Sequence, residues 1–325
     1  MWDTLLDILV RKVREGCEVR VMYDDAGCLG TLPHSYDKYL CSLGIHAVRF
    51  NRFIPTLNTY LNNRDHRKIC VVDGNIGFMG GINLADEYIN ERIRFGHWKD
   101  TGVRLMGPGV ANMTEMFLQM WEYTTKDRFL DRARYMPTVV RSGDGYVQPF
   151  YDSPLDDRNV GETVFMHIIN RAQRYVYITT PYLILDNEMI TALTVAAQSG
   201  IDVRIITPGI PDKKLVYRVT RSYYQQLHRA GVKIYEYRPG FLHAKMIVSD
   251  DDVAVVGTMN MDFRSFFLHF ECGTVLYGGE TISEIRDDVL DTMGLSRQID
   301  DEWFRSVPWL ASIAASILRL FAPML

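Results

Sequence analysis

Cysteine is sparse and scattered. Cys17, Cys28, Cys41, Cys70 and Cys272 are odd in number and form no CxxC pair, which argues against a zinc motif or a disulfide framework and suits a reducing compartment. No run of eighteen apolar residues exists, so no segment reads as a bilayer span. Met1–Val10 contains Asp3 and Asp7 and is followed by Arg11, unlike a signal peptide. A charge excess is also missing. Lys and Arg number 36 against 40 Asp and Glu, a net charge of −4, which gives no general attraction to nucleic acid. In KDRFLDRARY, Asp127 and Asp131 offset Lys126, Arg128, Arg132 and Arg134. With 47% apolar and 23% charged residues, disorder, collagen and coiled coil are excluded for the whole chain. A length of 325 residues allows one large domain or two of about 150 residues.

The sequence does contain itself twice. HRKICVVDGNIGFMGGIN begins at His66, and HAKMIVSDDDVAVVGTMN begins at His243, 177 positions later. At that one offset His66 matches His243, Lys68 matches Lys245, Asp73 matches Asp250, Gly80 matches Gly257 and Asn83 matches Asn260. Upstream, EGCEVRVMYDD from Glu15 resembles SGIDVRIITPG from Ser199, and LGIHAVRF from Leu43 resembles AGVKIYEY from Ala230. Each half therefore reads helix, strand, helix, strand, then the histidine motif, with glycines at helix ends. The expected fold class is α/β, with two repeated α/β sandwiches, mixed or largely parallel sheets and one pseudo-twofold site. The domain change is placed between Met136 and Gly145, giving expected domains at 1–138, 139–306 and a C-terminal helix at 307–325. The second half carries a further helix and the Tyr175–Ile184 strand, with no counterpart in the first. The expectation is an incomplete first domain.

On a strand, residues i and i+2 share a face, so His66 and Lys68 point together, as do His243 and Lys245. Asn83 and Asn260 follow glycine turns and can return to the pocket as neutral donors. Two lysines, two imidazoles and two asparagines make a donor-rich pocket for a phosphoryl group. One imidazole can attack phosphorus while the other protonates the leaving oxygen. The lysines supply positive charge, so neither metal nor cofactor is expected. Asp73 and Asp250 are candidate site residues that orient or neutralise groups within their own halves.

The paired pattern HxK-x4-D-x6-G[GST]xN is similar to the signature of the phospholipase D superfamily. The blocks NNRDHRKICVVDGNIGFMGGINLADEY, HWKDTGVRLMGPGV, ITTPYLILDNEMITAL, PGFLHAKMIVSDDDVAVVGTMNMDFRSF and HFECGTVLY resemble bacterial cardiolipin synthases. The resemblance implies His66 as nucleophile and His243 as general acid and later base. It implies Lys68, Lys245, Asn83 and Asn260 as a phosphate clamp, although motif symmetry alone leaves the order of the histidines open. Glu271 matches a family acidic position that pairs with a histidine, and Glu87 has a weaker claim to the same role in the first half. His269 stands where the family more often has asparagine and is assigned no role.

The reaction implied is transphosphatidylation, joining two phosphatidylglycerols into cardiolipin with release of glycerol. The expected partners are phosphatidylglycerol and anionic membrane lipids, not nucleic acid, at the bacterial cell membrane and peripherally in this chain. A phospholipase D-type lipid hydrolase, another phosphatidyltransferase, a nuclease and an inactive membrane-associated fragment remain open alternatives. The tail VPWLASIAASILRLFAPML from Val307 is expected to lie on a membrane surface, with docking against the second domain as its competitor.

Overall fold

The computed structural model describes residues 1–52, 63–129, 131–308 and 318–320. The first half runs α1 (Trp2–Arg14), β1 (Arg20–Asp24), α2 (Tyr36–Ser42), β2 (His46–Phe50), β3 (Arg64–Asp65), β4 (Ile69–Val72), β5 (Ile76–Gly80), β6 (His97–Lys99), β7 (Gly102–Met106) and α3 (Val110–Thr125). The second begins with β8 (Tyr146–Asp152), α4 (Val160–Arg171), β9 (Tyr175–Thr179), β10 (Leu183–Ile184), α5 (Asn187–Gln198), β11 (Asp202–Pro208), α6 (Lys214–Arg229) and β12 (Lys233–Tyr237). It continues through β13 (Gly240–Leu242), β14 (Met246–Ser249), β15 (Val253–Gly257), β16 (Met261–Asp262), α7 (Phe263–Phe267), β17 (His269–Tyr277), α8 (Glu280–Gly294), β18 (Ser296–Ile299) and α9 (Asp301–Ser306).

The helix–glycine–strand rhythm of the repeat has a common backbone cause. Gly16, Gly44, Gly200 and Gly231 all adopt positive φ where a helix gives way to a strand, a conformation glycine enters without steric cost. In the second half the strand order is β18-β12-β11-β9-β14-β15-β17, with β8 on the far side of β17. β9, β11 and β12 are parallel, whereas β14, β15 and β17 form antiparallel pairs. Period-two alternation sends Val176, Ile178 and Ile247 into the core under α4, α5 and α6. It sends Tyr175, Tyr177, Met246 and Val248 to the opposite face, against Ile282, Ile285 and Val289 of α8.

The first half repeats this in two smaller sheets. β1 and β2 pair in parallel beneath α1 and α2, and β4-β5-β7 form an antiparallel sheet. Ile69 and Val71 of β4 pack with Met113 and Met116 of α3, and buried Cys272 of β17 joins that cluster from the other half. Two short parallel pairs also cross between halves: β3 with the start of β17, and β6 with β13.

The membrane-surface expectation for residues 307–325 falls largely outside the described residues. Leu318 packs against the second-half core, and the Arg319 guanidinium lies over the Tyr223 ring and donates to Gln226 Oε1 at 2.9 Å. Among the described residues no helix is long and apolar enough to cross a membrane.

Candidate active site

The crossed strand pairs set both histidines. The backbone N–H of His66 donates to the carbonyl of Phe270 at 3.0 Å, and that of His243 to the carbonyl of Lys99 at 2.7 Å. Each accepting residue is followed by a carboxylate: Glu271 after Phe270, Asp100 after Lys99. His66 Nδ1 meets Glu271 Oε1 at 2.9 Å, and His243 Nδ1 meets Asp100 Oδ2 at 2.7 Å. Each half thus supplies the carboxylate for the histidine of the other.

The glycine turns make this possible. Gly80 pairs with Gly102 and Gly257 with Gly273, and a Cβ on either Gly80 or Gly257 would sit about 2.4–2.5 Å from a carbonyl of the neighbouring strand. Only glycine lets the strands approach there. At the next position the halves differ. A side chain on Gly81 would strike the Asp100 carboxylate, so the second glycine leaves room for that group. Its counterpart Thr258 instead donates its hydroxyl to Glu271 Oε2, and Ser265 Oγ donates to Oε1 at 2.8 Å.

Lys68 Nζ donates to the carbonyl of His66, and Lys245 Nζ to that of His243, so each lysine doubles back beside its own histidine. Asn83 donates to the Tyr88 hydroxyl, and the Tyr88 ring lies edge-on to His243 with centroids 5.2 Å apart. The Asn260 backbone N–H bonds Ser265 Oγ at 3.1 Å, while its side-chain Nδ2 is 3.4 Å from Asp262. His66, Lys68, Asn83, His243, Lys245, Asn260 and Glu271 therefore line or directly buttress one interface between the halves.

Asp73 and Asp250 do not join them. Both occupy the turn at the far end of a β-hairpin, with φ of 53° and 58°. Five residues of extended chain from Lys245 put Asp250 roughly 16 Å away. Asp250 accepts the backbone N–H groups of Gln173, Arg174 and Tyr175 at 2.7–2.9 Å, fixing the entry to β9. Asp250 thus orients groups of its own half, away from the histidine interface, and Asp73 occupies the equivalent turn of the first half. Glu87 pairs with Arg94 at 3.1 Å, and Asp100 holds the position beside His243 expected of it.

The family profile described as "Cardiolipin synthase, PLD-like domain" matches residues 165–292. An uncharacterized protein of Streptococcus mutans is 49% identical over 327 residues, covering all of this chain and 70% of that protein. Cardiolipin synthases of Alkalihalophilus pseudofirmus and Geobacillus kaustophilus are 39% and 40% identical over 99% and 98% of the chain. The chain belongs to the phospholipase D superfamily. It spans 64% of the length of each of those two synthases. Its fold is also that of the phosphatidylserine synthase of Haemophilus influenzae, with a TM-score of 0.71 over 99% of this chain and 87% of the other at 13% identity.

In this phospholipase D superfamily member, burial dominates the electrostatics. It lowers the His66 imidazole to about 4, against the opposing pull of Glu271. It lowers His243 to about 3, with Lys245 pushing the same way and Asp100 opposing. Both rings are neutral at neutral pH. Burial also lowers Lys68, and takes Lys245 down to about 7 despite Asp100; Lys68 adds like-charge repulsion to Lys245. Lys68 thus acts electrostatically on both Lys245 and His243 across the interface between the halves. Glu271 is fully buried, which alone would raise it, yet His66 and His269 hold it below the usual carboxylate range.

A metal would find three donors within 4.8 Å of one another at His66, His269 and Glu271, though Glu271 is already engaged by His66, Thr258 and Ser265. A cavity of about 560 Å³ lies beside Phe270, lined by Arg49, Arg52, Asn63 and Lys126 among others, and its lining includes neither histidine, neither lysine, nor Asp100 or Glu271.

Proposed function

We propose that the chain carries the phosphatidyl-transfer site of a cardiolipin synthase, working through a phosphohistidine. The observation that supports this most is the crossed arrangement: two neutral imidazoles, each held at Nδ1 by a carboxylate of the opposite half, with a lysine folded back beside each. With Glu271 ionised, His66 donates from Nδ1 and keeps the Nε2 lone pair free to attack phosphorus. His66 is 24% exposed and His243 only 8%, which favours His66 as the group that meets the incoming lipid.

In the first step the His66 Nε2–P bond forms and the P–O bond to glycerol breaks. The departing oxygen takes a proton from His243. That ring is neutral in the empty pocket, so binding of the phosphodiester anion is coupled to uptake of a proton from water at His243 Nε2, and Asp100 stabilises the resulting imidazolium. In the second step His243 accepts the proton of a second phosphatidylglycerol hydroxyl, whose oxygen displaces His66 from phosphorus. Lys68, Lys245, Asn83 and Asn260 supply donors to the phosphoryl oxygens. The substrate is lipid-borne, so the reaction belongs at an anionic membrane surface.

The test is incubation of the protein with vesicles of phosphatidylglycerol. Cardiolipin and glycerol in equal amounts support the proposal. Phosphatidic acid with no cardiolipin would support a lipid hydrolase instead, and neither product would overturn the reading for this chain.

A further inference from the structure

Position 269 carries an imidazole that the proposed reaction does not use. His269 opens β17 two residues before Glu271, on the same face of the strand. Both of its ring nitrogens are buried, and neither makes a hydrogen bond among the described residues. A buried neutral imidazole whose N–H and lone pair are both unmet is costly, and such a group calls for a partner.

The opposite half carries a different ring at the same place. Trp98 stands two residues before Asp100. Its ring lies 5.4 Å from that of His243 at 46°, and the His269 ring lies 5.6 Å from that of His66 at 47°. The two positions are therefore equivalent in space as well as in order. Indole offers only an N–H, whereas a neutral imidazole also offers a lone pair. The His66 side of the interface can thus add a metal ligand where the His243 side cannot.

The donors on that side converge. His66 Nδ1 lies 2.9 Å and His269 Nδ1 3.8 Å from Glu271 Oε1. One ligand atom from each of the three residues lies within 4.8 Å of the other two, so shifts of about 0.7 Å or less bring all three to the roughly 2.0–2.2 Å of zinc coordination. Glu271 is braced as a metal ligand is braced. Thr258 donates to its Oε2 and Ser265 to its Oε1 at 2.8 Å, so withdrawal of the His66 N–H frees a lone pair while the carboxylate stays in place.

We propose that His66, His269 and Glu271 form an inhibitory site for a transition-metal dication of the zinc type. Two imidazoles and one carboxylate suit Zn²⁺, whereas Mg²⁺ and Ca²⁺ take oxygen ligands. Coordination at His66 Nδ1 replaces the hydrogen bond to Glu271 and moves the ring proton from Nδ1 to Nε2. The ring gains and loses no proton overall, but the Nε2 lone pair that attacks phosphorus is taken up by the N–H bond. The metal stops the covalent step by fixing the wrong tautomer. This consequence rests on His66 as nucleophile; the binding does not.

The probe is Zn²⁺ itself. Equilibrium dialysis of the whole chain, freed of metal beforehand, is compared with that of H269N and H269Q. The unmodified chain should hold one more tightly bound zinc than either variant, and S265A should weaken that site by about tenfold. Excess Mg²⁺ or Ca²⁺ should not displace it. A second readout needs no variant: Zn²⁺ should slow modification of His66 and His269 by diethylpyrocarbonate, mapped by mass spectrometry, about tenfold or more. In the phosphatidylglycerol assay Zn²⁺ should suppress a larger fraction of turnover in the unmodified protein than in H269N, and a chelator should restore it. Equal zinc stoichiometry in all three proteins, or unchanged modification of His66 and His269, would overturn the site. Loss of the extra zinc in H269N with equal inhibition of both proteins would overturn its inhibitory role. Dialysis and modification do not use turnover, so failure of the lipid assay leaves them decisive.

Discussion

His66 reaches Glu271 across 205 residues of sequence at 2.9 Å, and neither group could hold that position within its own half. The contact is matched by His243 and Asp100 at 2.7 Å. Each site histidine is therefore oriented by an element that also builds the interface, so integrity of the interface and basicity of the rings are coupled. E271Q and D100N test this coupling. Each amide can accept from, or donate to, the ring, and so no longer enforces one tautomer or stabilises an imidazolium. Turnover should fall by about 10²- to 10⁴-fold in either variant while circular dichroism and thermal unfolding change little. Near-normal turnover in D100N would remove Asp100 from the proposed mechanism.

The exposure difference between the histidines favours His66 for the proposed covalent step. Rapid quenching during turnover of labelled phosphatidylglycerol should trap an acid-labile adduct on His66, absent in H66A. H243A should form the adduct slowly, for want of the acid, but at the same residue when mapped by mass spectrometry. An adduct mapped to His243 in the unmodified protein would reverse the assignment.

Lys245 gives the site a pH dependence of definite sign. Burial lowers its ammonium to about 7, so the charged form is lost as pH rises through neutrality. An anion binds best to the charged form. The affinity for dimethyl phosphate, which stays monoanionic throughout, should fall by up to about tenfold between pH 7 and 8.5. K245R retains its charge over this range and should flatten the profile; K245M should bind weakly at every pH. Affinity that rises with pH in the unmodified protein would contradict the electrostatic account.

Much of this was legible in the sequence because the repeat preserves the groups that face the interface at one offset. The helix–glycine–strand order, both histidine motifs and Glu271 could be read from residues alone or from the family resemblance. Asp100 could not be found at that offset. Asp100 lies 17 positions after Asn83 and Glu271 lies 11 after Asn260, and the constant spacing lands on Arg94 instead. The useful signal was local: an acid two residues before the glycine that pairs with the motif glycine, in Asp100-Thr-Gly102 and Glu271-Cys-Gly273. Thr258 and Ser265 were hidden for another reason. Their hydroxyls act on Glu271 through a turn whose geometry no periodicity encodes. Asp73 and Asp250 illustrate the converse, since recurrence in a motif marks a shared structural need as readily as a shared chemical one.

The two hairpin aspartates make a final comparison that needs no substrate. Asp250 accepts three backbone N–H groups where the chain enters β9, and truncating it strands those donors beside a central strand. Asp73 occupies the equivalent turn but anchors no described segment. D250A should therefore lower unfolding free energy by about 2 kcal/mol, in line with loss of charge-assisted backbone caps. D73A should change it by less than about 0.5 kcal/mol, as expected of a surface side chain without partners. Both values come from chemical denaturation of the same protein, with the linear slope checked to show that the unfolding transition is unchanged. Equal destabilisation would mean that Asp73 already caps a segment in solution. Equal insensitivity would mean that the three bonds to Asp250 contribute nothing net, and that the entry to β9 is held by its core residues Val176 and Ile178 alone.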